Sequence, residues 1–329
     1  MTEPLLSVAG LTVHYAGRSG GRDHALVAVD GASFNLASGE IIGLVGESGA
    51  GKSTVAYALM RLIDLPGRIV AGSAMFEGRD LLALDEAAMR RVRGNRICMV
   101  FQDPMATLNP LMRVGDHIAE GLMVHRGFGR QAARDRAVAA LTEVGIPAAE
   151  RRARDYPHEM SGGMQQRAVI AAALAMEPAL LIADEPTTAL DATIQSQIID
   201  LLVDLTRRHG TALLLVTHNI ALVAEIADQI AVMYGGTMVE IGPKGRVLDA
   251  PRHPYTAALI DSIPRLGEPD RPLNPIPGMM PGLAHLPEGC PFHPRCTRVR
   301  LPDCLVRPAL VEAVPGHRVA CHFALEPPA

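Results

Sequence analysis

The segment Ile41 to Thr54, IIGLVGESGAGKST, constrains the fold more than any other part of the chain. An apolar run, Ile41 to Val45, meets glycines at 46, 49 and 51 and then Lys52, Ser53 and Thr54. This GxxxxGKS pattern, following a strand and opening a helix, lets backbone N–H groups converge on phosphate oxygens while the helix dipole adds favourable potential. Lys52 has the reach and charge for terminal phosphates, and the Ser53 hydroxyl can ligate magnesium. A Gly-rich turn that binds nothing is the bland alternative; strand, loop, Lys, Ser and helix in one place argue against it.

Further apolar runs read as strands buried on both faces: Ile97 to Phe101, Leu180 to Ala183 and Ala212 to Val216. A helix opening near Asp191 puts Ile194, Ile198, Leu201, Leu202 and Leu205 on one face and ends at Arg207, Arg208, His209 and Gly210. Alternating strands and helices indicate an α/β fold with a largely parallel sheet, whose ligands bind beyond the carboxyl ends of the strands. IAVMY and TMVEI flank Gly235 and Gly236, a two-residue hairpin that adds an antiparallel element. Residues from about 85 to 160, rich in Ala, Arg and Met, read as a mostly helical insertion.

No apolar stretch approaches the roughly 18–20 residues of a membrane-spanning helix, and the start MTEPLLSVAG has no signal-peptide pattern. The expectation is a cytosolic protein that reaches a membrane only through a partner. A net charge of -4 does not favour nucleic acid.

At the end of LLIADEP, Asp184 and Glu185 place adjacent carboxylates where a nucleotide would lie. Two such charges suit a magnesium partner, Asp184, and a residue that polarises water, Glu185; alone, the pair could be a solvated turn. Later motifs complete a pattern. MSGGMQ from Met160 to Gln165 resembles the signature of ABC ATPases, Gln102 in VFQDP the Q-loop, Ala189-Leu190-Asp191 the D-loop, and His218 in LLLVTHN the switch histidine. Met164 departs from the usual Gln, as in the peptide-importer branch.

The resemblance implies an ABC-type P-loop ATPase core with an antiparallel β element and a helical subdomain over residues 1–250, then a C-terminal extension over 251–329. It implies ATP held by Gly46, Ser48, Gly49, Gly51, Lys52, Ser53 and Thr54, and Mg2+ by Ser53, Gln102 and Asp184. Glu185, His218, Lys52 and Gln102 would be catalytic, while Ser161, Gly162, Gly163 and Asp191 would serve the nucleotide of a second subunit. A lone His at a strand end is otherwise usually structural. Tyr15 in LTVHY resembles the residue that stacks on adenine, with an ordinary core or surface tyrosine as the alternative.

The stretches HPYTAALIDSIPRL and IPGMMPGLAHLPEGCPFHPRC resemble the C-terminal region of ATPases from dipeptide and oligopeptide importers. Its cysteines, Cys290, Cys296, Cys304 and Cys321, read C-x5-C-x7-C-x16-C. The resemblance implies a 4Fe-4S cluster; zinc and reduced thiols remain open, although the short C-x2-C pairs common at zinc are missing. Disulfides are disfavoured in a cytosolic chain. A cluster would act as a clip for a tail too small to fold alone. His293, His317 and His322 are substitute ligands of lower rank, and Cys98 reads as a buried apolar residue.

The function so implied is ATP hydrolysis that drives peptide import at the cytoplasmic face of the membrane. Its partners would be a related ATPase in a heterodimer, two permeases and an extracytoplasmic binding protein. The rivals are import of nickel, an opine or a sugar, a soluble ABC ATPase, and a partner subunit that binds nucleotide without turnover.

Overall fold

A computed structural model describes residues 3–19, 22–188, 191–263 and 274–326. The strands, in chain order, are β1 Leu6–Ser19, β2 Arg22–Leu36, β3 Ile41–Val45, β4 Gly67–Phe76, β5 Arg79–Asp80, β6 Ile97–Val100, β7 Leu180–Asp184, β8 Ala212–Thr217, β9 Gln229–Tyr234, β10 Thr237–Pro243, β11 Val311–Val314 and β12 His317–Val319. They form an antiparallel sheet, β2-β1-β4-β5, and a larger sheet, β11-β12-β10-β9-β3-β8-β7-β6.

The parallel part of the large sheet runs from β9 to β6. Its strands are continuous apolar runs because both faces are covered. The pleat divides them cleanly. Ile41 and Val45 of β3, Leu181 and Ala183 of β7, and Leu213 and Leu215 of β8 pack with the helical side. Ile42 and Leu44, Leu180 and Ile182, and Leu214 and Val216 pack with the antiparallel sheet and the helix Lys52–Leu59. The chain is thus layered as sheet, helix, sheet and helices around two apolar cores.

On the helical side, Ala192–His209 is capped as its sequence predicts. The Asp191 side chain accepts from the Ile194 N–H at 3.0 Å, and Gly210 closes the helix at φ 65°. Ile198, Leu202 and Leu205 are buried beneath it. Within the stretch 85–160, β6 belongs to the large sheet; the helix Glu86–Val92 precedes it, Pro104–Thr107, Val114–Arg126, Arg130–Glu143 and Ala149–Arg152 follow it, and Gly162–Leu174 lies just beyond the stretch. Among the described residues no helix is long and apolar enough to cross a membrane.

The Gly235-Gly236 hairpin joins β9 to β10 with φ of 54° and 78°, the positive values its turn requires. Beyond it, the tail returns to the same sheet. β12 pairs with β10, matching Glu240 to Val319 and Ile241 to Arg318, and β11 adds an edge. Glu240, fully buried, accepts from the Arg252 N–H at 2.7 Å and the His253 N–H at 2.9 Å, and its other close partner is His317 Nε2 at 2.7 Å. Tyr234 meets Tyr255 and Phe292 edge to face, and those two rings are tilted against each other. The tail is therefore anchored by strand pairing, a buried carboxylate and an aromatic cluster, and does not depend on its cysteines alone.

Candidate nucleotide-binding site

The parallel strands end side by side, with Val45 opposite Thr217 and Asp184 opposite Val216. The loops that leave them therefore share one edge, and the residues singled out by motif converge there. A cleft of about 340 Å³ is lined by Ser48, Gly49, Gly51, Lys52, Ser53, Thr54, Gln102 and Glu185, joined by Ala28 and Leu283.

The phosphate loop leaves no room for larger residues. At Gly46, φ is 156° and a Cβ would lie 2.2 Å from the Met233 carbonyl oxygen. Lys52 is only 4% exposed, and its ammonium donates to the carbonyls of Gly46 at 2.9 Å and Glu47 at 3.0 Å. Burial pulls its pKa down, against the charges of Glu185, Asp184 and Glu47. A cation held in the loop only by backbone carbonyls is free to exchange them for phosphate oxygens.

The Ser53 hydroxyl donates to Asp184 Oδ1 at 2.9 Å. Asp184 is 1% exposed, and its Oδ2 has no hydrogen-bond partner among the described residues, although the Tyr57 hydroxyl faces the same carboxylate. Burial raises the Asp184 pKa, the Ser53 hydrogen bond works against this, and the Glu185 charge adds to it. An orphaned buried carboxylate oxygen beside a hydroxyl fits a magnesium ion, which takes one or two protein ligands and fills its shell with water and phosphate.

Glu185 adopts φ 44°, uncommon for a residue with a side chain, and its N–H donates to the Val216 carbonyl at 2.9 Å. This turn throws its carboxylate toward three polar partners. Thr188 Oγ1 donates to Oε2 at 2.8 Å, Gln102 Nε2 donates to the same oxygen at 3.4 Å, and His218 Nδ1 lies 3.2 Å from Oε1. Burial pushes the Glu185 pKa up, but the Thr188 and His218 hydrogen bonds outweigh it and hold the group below its ordinary value. It is ionised at neutral pH, as a proton acceptor must be.

Other expected residues stand apart from this cleft. Ser161 caps the helix Gly162–Leu174, accepting from the Met164 N–H at 3.4 Å, and lies exposed with Gly162. Asp191 caps the next helix, while Ala189 and Leu190 lie outside the described residues. Tyr15 does not line the cleft. The β1 register pairs it with Gly67 and Leu26, and its ring flanks Gly67 beside Ile63.

The four tail cysteines, all unbridged, line one small cavity of about 20 Å³ together with His253, His293 and His322. Burial, then proximity to the other three, drives the Cys290 thiol up to about 11, and burial also raises Cys296 and Cys321. Among the described residues no group of three or more His, Cys, Asp or Glu side chains is placed to hold a metal ion. The four cysteines expected to hold a cluster thus share one cavity without forming a ready metal site among the described residues. Cys98 is buried in β6, its thiol pushed up to about 12 by burial.

Residues at this site that escaped the sequence reading include Ala28, Tyr57 and Thr188, then Glu47, whose carboxylate meets Arg295, and the tail residues Arg295, Tyr255 and Leu283. No local pattern marks the contacts of Glu47 with Arg295 and Tyr255, which cross more than two hundred residues of chain.

Comparison with known proteins agrees with this geometry. The ABC transporter family profile matches residues 29–188, and that of the oligopeptide/dipeptide transporter C-terminal region matches 239–304. A putative peptide import ATP-binding protein of Brucella melitensis is 52% identical over 90% of each chain. The dipeptide transport ATP-binding protein DppD of Escherichia coli is 45% identical over 98% of this chain and 97% of its own. The dimeric ATP-binding cassette MJ0796 in a post-hydrolysis state with ADP and Pi superposes with a TM-score of 0.63 at 27% identity, over 73% of this chain and 98% of that one. CbiO1 from Clostridium perfringens, part of the ABC transporter complex cbiONQ, gives 0.61 at 27% identity, over 75% of this chain and 91% of that one. The chain belongs to the ABC transporter ATPase family, in the branch that carries the oligopeptide/dipeptide transporter C-terminal region.

Proposed function

We propose that this chain hydrolyses ATP to drive import of dipeptides or oligopeptides, acting as a peripheral subunit at the cytoplasmic face of the membrane. The observation that carries the catalytic part is the meeting of Gln102, Glu185 and His218 at the mouth of the phosphate loop. The loop's N–H groups and Lys52 hold the phosphates, and Ser53, Asp184 and Gln102 would hold Mg2+. Bound there, the ion would neutralise charge on the β- and γ-phosphates. Glu185 accepts the proton of the attacking water, while His218 fixes that carboxylate and reaches toward the γ-phosphate.

Ser161, Gly162, Gly163 and Asp191 lie outside the cleft of their own chain, which supports a head-to-tail pair in which each chain completes the other's site. The family branch supports a related ATPase as the second chain, two permeases and an extracytoplasmic binding protein. Met105, Leu111 and Val124 follow Gln102 and stand exposed, Leu111 by 85%, which suits docking on a permease. The peptide cargo rests on the relatives' activities and on the matching C-terminal region. Reconstituted with permeases, paired ATPase and binding protein, the complex is expected to hydrolyse ATP several-fold faster with short peptides. Stimulation by nickel, an opine or a sugar alone would overturn the peptide assignment, and full activity without permeases would point to a soluble ATPase.

The four tail cysteines that line one cavity support a 4Fe-4S cluster. It would be held by Cys290, Cys296, Cys304 and Cys321. His253 Nδ1 accepts from the Tyr255 N–H, so the ring proton sits on Nε2, which is buried, lacks a partner and belongs to a cavity-lining ring. Such a donor suits a cluster sulfur. The group would supply a covalent clip, with thiol protons released on loading. Protein purified without oxygen is expected to carry about four irons and four sulfides per chain, lost when Cys290 and Cys296 become Ser; stoichiometric zinc or no metal would refute this.

A further inference from the structure

Glu47 follows the first glycine of the phosphate loop, so its negative charge belongs to the loop expected to hold the triphosphate. Its carboxylate nonetheless does not line the cleft. It is drawn aside by Arg295, whose Nη1 lies 3.0 Å from both Glu47 oxygens. Arg295 belongs to the tail, in the run between Cys290 and Cys296, and its side chain is only 7% exposed.

That guanidinium is fixed before it reaches Glu47. Nε donates to the Pro277 carbonyl at 2.7 Å, Nη2 donates to the Gly278 carbonyl at 3.2 Å, and Nη1 also donates to the Tyr234 hydroxyl at 3.1 Å. The Glu47 N–H in turn donates to the Tyr255 hydroxyl at 3.0 Å. The tail therefore grips Glu47 at both backbone and carboxylate. The loop's own turn is closed separately, by the Ala50 N–H donating to the Glu47 carbonyl at 3.1 Å.

We propose that Arg295 is a positioning residue for ATP binding: it cancels the charge of Glu47 and holds that carboxylate out of the path of the phosphates. This rests on the nucleotide reading of the cleft. It makes the C-terminal extension a working part of the ATP site rather than an appendage. Loss of the guanidinium releases an unpaired carboxylate beside the triphosphate, which repels it, and removal of that carboxylate in the same chain relieves the repulsion.

The test is equilibrium ATP binding and steady-state hydrolysis by the full chain in its complex. Arg295→Met is expected to raise the dissociation constant and KM for ATP about tenfold, with kcat at saturating ATP within about twofold. The double variant Glu47→Gln/Arg295→Met is expected to regain affinity to within about threefold of the unsubstituted chain. Unchanged ATP affinity in Arg295→Met would overturn the proposal. So would a loss that Glu47→Gln does not relieve, the mark of a merely structural residue. Should Arg295→Met fail to fold, Glu47→Gln alone decides: affinity within about twofold supports the proposal, and a tenfold loss overturns it. If the unsubstituted chain itself bound no ATP, the nucleotide reading would fail first.

Discussion

A Glu185→Gln variant is expected to bind ATP about as well as the unsubstituted chain and to hydrolyse it about 10²–10⁴-fold more slowly, the range a positioned general base contributes. The amide preserves the size of the group and can still accept from Thr188 and Gln102 through its remaining oxygen. It cannot take a proton. The native carboxylate can, because hydrogen bonds from Thr188 and His218 keep it ionised despite partial burial. His218 is 54% exposed on its side chain, and among the described residues Glu185 is the hydrogen-bonding partner of its ring, so it depends on that carboxylate for its orientation. Single-turnover phosphate release with preloaded ATP separates the two effects. Hydrolysis within tenfold of the unsubstituted rate would transfer the base role to His218 or to the nucleotide itself.

What the sequence made legible is what lies close together along the chain. The phosphate loop, the acidic pair after β7 and the Ser161 cap are each encoded within a few residues, and their strands are apolar runs that admit few alternatives. The antiparallel sheet was harder to see. β1 and β2 are interrupted by register shifts between Val8 and Leu11 and again before His14, so no clean alternation marks which face is buried. The same register sets Tyr15 against Gly67, and Tyr15 is not among the residues that line the cleft. Tail anchoring was illegible for a different reason. β12 is three residues long, and the Glu47–Arg295 pair joins positions 248 residues apart, so neither has a local pattern. Glu240 shows the same limit: a glutamate in a strand reads as solvent-facing until the two backbone donors and the imidazole that satisfy it are in view.

Gly51→Ala is expected to lower ATP affinity by at least about a hundredfold and to destabilise the fold by roughly 2–4 kcal/mol. Gly51 is the residue before the helix Lys52–Leu59 and has φ 97° and ψ 2°, a left-handed conformation that costs an L side chain about 1–2 kcal/mol. Space adds to the cost. A Cβ there would stand 2.5 Å from the Ala28 carbonyl oxygen and 3.4 Å from the Gly236 Cα, both backbone atoms. Neither neighbour can yield independently, because the Gly236 N–H donates to the Ala50 carbonyl at 3.0 Å and its carbonyl accepts from the Asp30 N–H at 2.8 Å. The phosphate loop, β2 and the β9–β10 hairpin are thus locked at one point, and the strain is relieved only by moving the helix start whose N–H groups face the phosphates. Gly210→Ala provides the comparison, since Gly210 has φ 65° with nothing within 4 Å of a Cβ. It carries only the left-handed cost, about 1 kcal/mol, and should leave ATP binding unchanged. Thermal melts of both variants, with and without ATP, read the two effects together: Gly51→Ala should lose the ATP-induced rise in Tm that Gly210→Ala keeps. A full ATP-induced shift in Gly51→Ala would mean that the backbone around residue 51 does not hold the phosphates.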